Sequence, residues 1–580
     1  MKRDRENVND RSPVLFFNGH VLTLDGKIRT YEAIVIQEGK VIASGTATDM
    51  RGLTGTRAKE IDLHGATLMP GLIDTHPHLL HFFGRANALV DLGDAISHSD
   101  IVARIRVRAA MTAPGEWIVA TPVGEPWYFI RRSYRDLVER ELPNRHLLDQ
   151  ATFNHPVIIQ AWTPVIPNVC ALNTLGLARL GITQETPNQM NNVWIEKDTA
   201  GDPTGILRGS VTTVYNKDPF AIELLKQLPR PQMSDFIEGT RQGMRFYNSL
   251  GVTTVCEAHN MTPMQIGIYR QFREKNALSV RVLAAPESEI YVNLWDNPLS
   301  LDEFKGNLEQ ALALVDLSDD LMRVNGVTLS RGGPCWPGFL LMREPYKGPY
   351  GELTTGVTFV SLEKAKIAIN LCAERGLRLN IISAGTHEHD ETLDLLEAAS
   401  KQHNIRERHW ILQHIYFLEP EQARRYAALG FDATTSMSFV WGKGDMFIER
   451  IGEHILEHLI PLRRLLDVGM TVGCGTDWGP KNVFEHIELA MTHRFCGSGR
   501  TNRGLAQQVT REEALAMWTR DAAKVLRWEG IGTLSPGNHA DLIVIDSNPQ
   551  DCPLSDLPAT RILLTMLGGE VVYNTGEFDV

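Results

Sequence analysis

The sequence predicts an α/β protein: a (β/α)8 TIM-like barrel carrying a small β-sandwich domain formed from both chain ends. Three observations carry this expectation. Short strand patterns with hairpin punctuation open and close the chain. Between them, apolar runs alternate with segments of helical period over roughly 400 residues, the pattern of a parallel α/β core. At 580 residues the chain is too long for one compact core, so its length calls for an added domain.

The elements follow in order. From Val14 to Leu68 the segments VLFFNGHVLTL, AIVIQEGKVIASG and GATLMPG read as short strands broken by Gly and Asn. GTLSPGNHADLIVID and ILLTMLGGEVVYN repeat that texture at the other end. One β domain is therefore expected from residues 1–69 and 531–580. The barrel is expected over 70–530. Its buried strands are read from HPVIIQAW, GVTTVCEA, MRVNGVTL, LRLNIISAG, HWILQHI, FDATTSM and MTVGCGTD. LEKAKIAINLCAERG, DETLDLLEAASKQ and PEQARRYAALG read as helices among them. Residues 131–215 carry extra loop signals and are expected to form an insertion over the barrel mouth.

Composition narrows the class. Charged residues make up 22% and the hydrophobic set 43%, ordinary for a soluble enzyme. A net charge of -12 argues against nucleic acid as the main partner, because phosphate binding needs a basic field. The opening MKRDRENVNDRSP is charged and lacks the apolar core of a secretory signal. No run of about 20 apolar residues appears, so no membrane partner is expected. The 7 cysteines include no CxxC pair, which fits a reduced, cytoplasmic protein. The expected partner is a small molecule, and a homo-oligomer is compatible with all of this.

The chemistry concentrates at strand ends. In PGLIDTHPH an apolar strand ends in His76-Pro77-His78. Residues two apart on a strand point the same way, so two imidazoles can grip one ion where barrel active sites lie. GCGTD places Asp477 at the end of the last strand-like run, where a carboxylate can complete a metal site and move a proton. His414 ends WILQH between these two signals. Taken singly, HxH, a capping Asp and a lone His all have bland structural readings; their shared position at strand ends gives them weight.

These motifs resemble the amidohydrolase superfamily, family 3, the group typified by N-substituted formamide deformylase. PGLIDTHPH is similar to its first-strand motif. WILQHIYFLEPEQARRYAALGFDATTSM, LIPLRRLLDVGMTVGCGTDWGP and TREEALAMWTRDAAKVLRWEGIGTLSPGNHADLIVIDSNP are similar to its later barrel strands and its return to the β domain. The resemblance implies a metal-dependent hydrolase of a non-peptide carbon–nitrogen bond in an amide, formamide or cyclic amide. It implies His76, His78, His414 and Asp477 as metal-site residues, with Asp477 and His414 also catalytic. Departures stand beside it. Thr328 occupies the position of a bridging lysine, no histidine occupies the fifth-strand position at Ile382, and Asn168 stands where a histidine is usual. A single divalent ion per chain is therefore expected, zinc first, with iron or manganese also suited. On the same barrel a lyase, hydratase or isomerase is the main rival, and a non-catalytic binding protein the second.

Other residues compete for the missing ligand places. Glu257 and His259 share a face at the end of GVTTVCEAH. His387 and His389 form a second HxH past the fifth strand, in a segment that reads better as a solvated helix start. His454 and His458 fit an HxxEH pattern but lie in an ordinary amphipathic stretch. Trp127, Tyr128, Trp162, Trp336, Trp441 and Trp478 fall in predicted loops near strand ends and are candidates for an aromatic substrate wall.

Overall fold

The computed structural model describes residues 12–26, 30–124, 131–162, 166–293, 296–315, 318–332 and 335–580. The charged N-terminal segment up to residue 11, and with it most of MKRDRENVNDRSP, lies outside them, as do Trp127 and Tyr128.

The chain is mixed α/β. Among the described residues, eight parallel strands carry the centre: β1 (Leu72–Asp74), β2 (Val252–Glu257), β3 (Arg281–Ala284), β4 in two segments (Met322–Val324 and Val327–Ser330), β5 (Leu379–Ser383), β6 (Ile411–His414), β7 (Asp432–Thr435) and β8 (Val472–Cys474). They pair in sequence order as two sheets, β1-β2-β3 with the first β4 segment, and the second β4 segment with β5-β6-β7-β8. Hydrogen bonds join the sheets at both seams. Thr328 N donates to Pro286 O at 2.9 Å and Ser288 N to Thr328 O at 2.9 Å. At the other seam Thr75 N donates to Cys474 O at 3.2 Å and Asp477 N to His76 O at 2.8 Å. Helices such as Leu362–Arg375, Thr386–Ser400 and Pro420–Ala428 follow their strands as the apolar periodicity predicts.

One expected strand is exchanged for another. Val157–Ile159, in HPVIIQAW, does not join the parallel set. It lies in a separate six-stranded sheet spanning Ile118 to Gly209, with apolar clusters on both faces. Burial on both faces produces the same unbroken apolar run in either setting. The strand that takes its place is β3. It begins at Arg281, and a charged first residue hides the run. That guanidinium is buried and holds Asp541 at 2.6 and 2.9 Å.

Segments from both chain ends pair with one another. Thr67–Pro70 runs antiparallel to Leu542–Ile545 in a six-stranded sheet that also holds Ile562–Leu567, Glu570–Asn574, His20–Leu22 and Thr30–Tyr31. A four-stranded sheet (Lys40–Gly45, Ala33–Gln37, Val14–Phe17, Lys59–Asp62) shares its core with it through Phe16, Ile34, Ile61, Leu68, Leu542 and Leu564.

Candidate metal centre

Three parallel strand ends bring the sequence-predicted residues together. His76 and His78 follow β1, His414 ends β6 and Asp477 follows β8. Ligand atoms of His76, His414 and Asp477 all lie within 4.8 Å of one another. His414 Nε2 stands 3.4 Å and His76 Nε2 3.6 Å from Asp477 Oδ2, and His78 Nε2 4.0 Å from Asp477 Oδ1. His76 Nε2 and His78 Nε2 face each other at 3.2 Å.

The backbone is forced into place here. His78, His414 and Asp477 have φ of 51°, 71° and 52°, left-handed values that L side chains avoid. Each costs about 1–2 kcal/mol, and such outliers persist where the surroundings over-determine them, commonly at functional sites. The surroundings are visible. Asp74 accepts from His76 N at 3.0 Å, Thr476 N at 3.1 Å and Thr476 Oγ1 at 2.7 Å, tying β1 to the loop after β8. Lys481 Nζ donates to Pro77 O at 2.9 Å, to Thr476 Oγ1 at 3.1 Å and to Asp477 O. Gly475 is required by close approach, since a Cβ there would meet His76 N at 2.4 Å.

The electrostatics suit a cation. Burial lowers the pKa of His76 to about 3, and it lowers His78 and His414 as well, so all three imidazoles are neutral. Burial alone would raise the Asp477 carboxyl. The approach of His414 Nε2 at 3.4 Å and of the His76 and His78 rings outweighs it and holds the group well below the usual carboxylate range. His414 Nε2 is buried without a hydrogen-bond partner. Two facing Nε2 lone pairs repel unless a proton or a cation lies between them. Neutral nitrogens, one ionised carboxylate and an orphaned ring nitrogen are the donor set of a divalent ion, so these residues fit one.

The competing residues separate cleanly. Glu257 serves the fold. Helix α1 (Leu79–Asn87) starts directly after His78 with no side-chain cap of its own, and Glu257 Oε1 accepts from Leu80 N at 2.9 Å and from Tyr269 Oη at 2.8 Å. His387 is exposed near Asp390 and Glu391. His389 is buried against Ser383 Oγ at 3.1 Å and Tyr426 Oη at 3.2 Å. His454 and His458 sit on and just after a 3₁₀ turn, where residues four apart do not share a face, and His458 Nδ1 meets Arg464 at 3.0 Å. At the lysine position Thr328 is buried and donates to Ala258 O. Ile382 is buried, and Asn168 opens a strand of the separate sheet.

Of the six competing residues, His259 alone reaches the centre. Its ring lies 5.7, 5.3 and 6.0 Å from those of His76, His78 and His414. Sequence reasoning missed what surrounds it: Glu287 Oε2 at 3.1 Å from Nδ1, Tyr215 Oη at 3.1 Å from Nε2, and Cys335 Sγ at 3.2 Å from His414 Nδ1. None belongs to a short motif, and each arrives from a different loop. Of the tryptophans, Trp478 packs on His78 at 5.8 Å, and Trp162 stands 6.4 Å from Trp478. Trp336 and Trp441 are buried in packing.

The Glu257 cap yields a stability test. Burial raises its pKa from 4.5 to about 7. Because the folded-state value is raised, the stabilising form is the neutral acid. That contribution is full below the unfolded value of 4.5 and is lost as pH rises toward about 7. Glu257→Gln keeps the acceptor and stays neutral. The variant is expected to exceed wild type at about pH 8 by on the order of 1–3 kcal/mol, and to match it at about pH 4. Urea unfolding at both values checks this; parallel pH dependence in the two proteins would remove the assignment.

With the geometry in hand, comparison with known proteins places the chain. The N-substituted formamide deformylase of Arthrobacter pascens is 25% identical over 97% of this chain and 98% of its own length. A metal-dependent hydrolase from Pyrococcus furiosus shares the fold, with a TM-score of 0.67 at 21% identity, covering 93% of this chain and 100% of that one. Atrazine chlorohydrolase from Arthrobacter aurescens, solved with zinc, also aligns, with a TM-score of 0.51 at 16% identity over 97% of this chain and 95% of that one. The model of the amidohydrolase family matches residues 59–573, and the chain belongs to that family.

Proposed function

We propose that the protein hydrolyses a non-peptide carbon–nitrogen bond of a small amide, formamide or cyclic amide, using one divalent ion held by His76, His78, His414 and Asp477. The observation that carries this is the convergence of His76, His414 and Asp477, with His78 beside them and His414 Nε2 without a hydrogen-bond partner among the described residues. Such an ion, when bound, supplies Lewis-acid activation of water and of the substrate carbonyl. Asp477 takes a proton at Oδ2, the oxygen facing His76 and His414, and returns it to the leaving nitrogen. His414 would stabilise the oxygen on which charge develops through the ion that its Nε2 helps to hold. Trp162 and Trp478 exclude water above His78.

The absence of a basic side chain at Thr328 supports one ion rather than a bridged pair. Zinc is the first choice, with iron or manganese also suited. The two parallel sheets, joined at both seams, are read as one (β/α)8 barrel over 70–530. The paired end segments are read as a β-sandwich domain of 1–69 and 531–580, and the separate sheet as part of the insertion around 131–215. Seven cysteines, none of them in a disulfide among the described residues, support a reducing, cytoplasmic setting. A small-molecule substrate is the expected partner.

The test uses metal-replete protein, a panel of formamides and lactams, and oxygen-18 water. Hydrolysis places one labelled oxygen in the acid product and releases an amine. Chelation is expected to abolish turnover, and re-addition of zinc, iron or manganese to restore it in an order that identifies the ion. Unlabelled product would favour a lyase.

A further inference from the structure

His414 meets a thiol on the side of its ring away from Asp477. Cys335 Sγ lies 3.2 Å from His414 Nδ1, and both side chains are buried. A neutral imidazole carries one proton, on one nitrogen or the other. On Nε2 that proton would have no hydrogen-bond partner among the described residues, although Asp477 Oδ2 stands 3.4 Å away. A buried donor left unpaired is costly. On Nδ1 the proton meets Cys335 Sγ, and sulfur accepts. The Nδ1 tautomer is therefore favoured, and it leaves Nε2 bare on the side of Asp477.

The contact is held from several directions. Cys335, His414 and Ile415 have φ of 49°, 71° and 54°, so both sides of it carry left-handed backbone. Thr435 Oγ1 donates to His414 O at 2.6 Å, and Phe439 packs on the His414 ring at 5.2 Å. The helix Ser438–Arg450 supplies the buried Lys443, whose Nζ donates to Cys335 O at 3.2 Å and to Tyr416 Oη at 2.8 Å.

We infer that Cys335 is a positioning residue of the metal centre: its sulfur takes the Nδ1 proton of His414, fixes the ring tautomer and turns the bare Nε2 toward the ion, while Lys443 holds the Cys335 backbone in place. Metal-binding histidines are ordinarily set by a carboxylate, a backbone carbonyl or water. A neutral thiol in that place fixes the proton without adding charge beside the ring. The metal role rests on the reading that His414 Nε2 holds the ion; the tautomer does not.

Histidine-selective nitrogen-15 spectra of the metal-free protein read the tautomer, with the His414 signal identified by its absence in His414→Asn. Wild type is expected to show His414 protonated at Nδ1 and bare at Nε2. Cys335→Ala is expected to shift the proton toward Nε2, and Cys335→Ser, which keeps an acceptor, to return it to Nδ1. Zinc affinity, measured by competition with a chromophoric chelator, is expected to fall about 10–100-fold in Cys335→Ala and to recover most of that loss in Cys335→Ser. Both variants keep the Cβ and the same left-handed backbone, and lost packing alone lowers Tm without moving the tautomer. A wild-type His414 protonated at Nε2, an unchanged tautomer in Cys335→Ala, or equal zinc affinity in the two proteins overturns the proposal. If Cys335→Ala does not fold, the wild-type tautomer decides. Wild type that binds no zinc, iron or manganese overturns the metal reading, and with it the metal role of Cys335; the tautomer then still decides the bond between Cys335 and His414.

Discussion

Asp477→Asn is expected to lower kcat/KM by about 10²–10⁴-fold in protein that still carries its metal. The substitution is conservative in every respect except the one that matters. Asparagine tolerates the left-handed backbone at φ 52° better than other side chains. Its oxygen can keep the bond from Trp478 N that Asp477 Oδ1 now accepts. What changes is the second position, 3.4 Å from His414 Nε2 and 3.6 Å from His76 Nε2. There an ionised oxygen with lone pairs becomes an amide NH2 with none. The group can then neither accept a proton nor balance a cation. Elemental analysis beside kinetics separates the two losses. A metal-replete variant with full turnover would remove the proton-shuttle role.

His76→Ala is expected to weaken metal affinity by more than about 100-fold, since a lost ligand should exceed the usual effect of a lost supporting contact. His76 lies close to two other members of the group, 3.2 Å from His78 Nε2 and 3.6 Å from Asp477 Oδ2. The contrast appears on titration. Added metal should raise the Tm of wild type, because ligand bound only to the folded state stabilises it by mass action, and should leave the variant's Tm nearly fixed. Equal Tm responses would place the ion elsewhere.

How much of this was legible beforehand depended on whether a feature was local. HxH at the end of β1 and GTD after β8 could be read because strand periodicity fixes the direction of side chains two apart. The roles of Glu257 and His259 could not be separated, though they are two residues apart. One reaches the first turn of α1 and the other the metal centre, and the partners that decide this, Leu80 and Glu287, lie far off in the chain. The exchange of Val157–Ile159 for Arg281–Ala284 has the same origin. An apolar run reports burial but not the sheet that buries it, and a strand starting with Arg281 looks soluble until Asp541 is seen across from it.

By itself, then, the sequence determined the alternating α/β order, the strand texture shared by the chain ends, and the placing of His76, His78 and Asp477 at strand ends. These are set by period, spacing and residue type. Only the tertiary structure decided which imidazoles converge, and that His259 joins them while His387 and His389 do not. Those depend on groups that the fold brings together from separate loops, far apart in the chain, which period and spacing do not report.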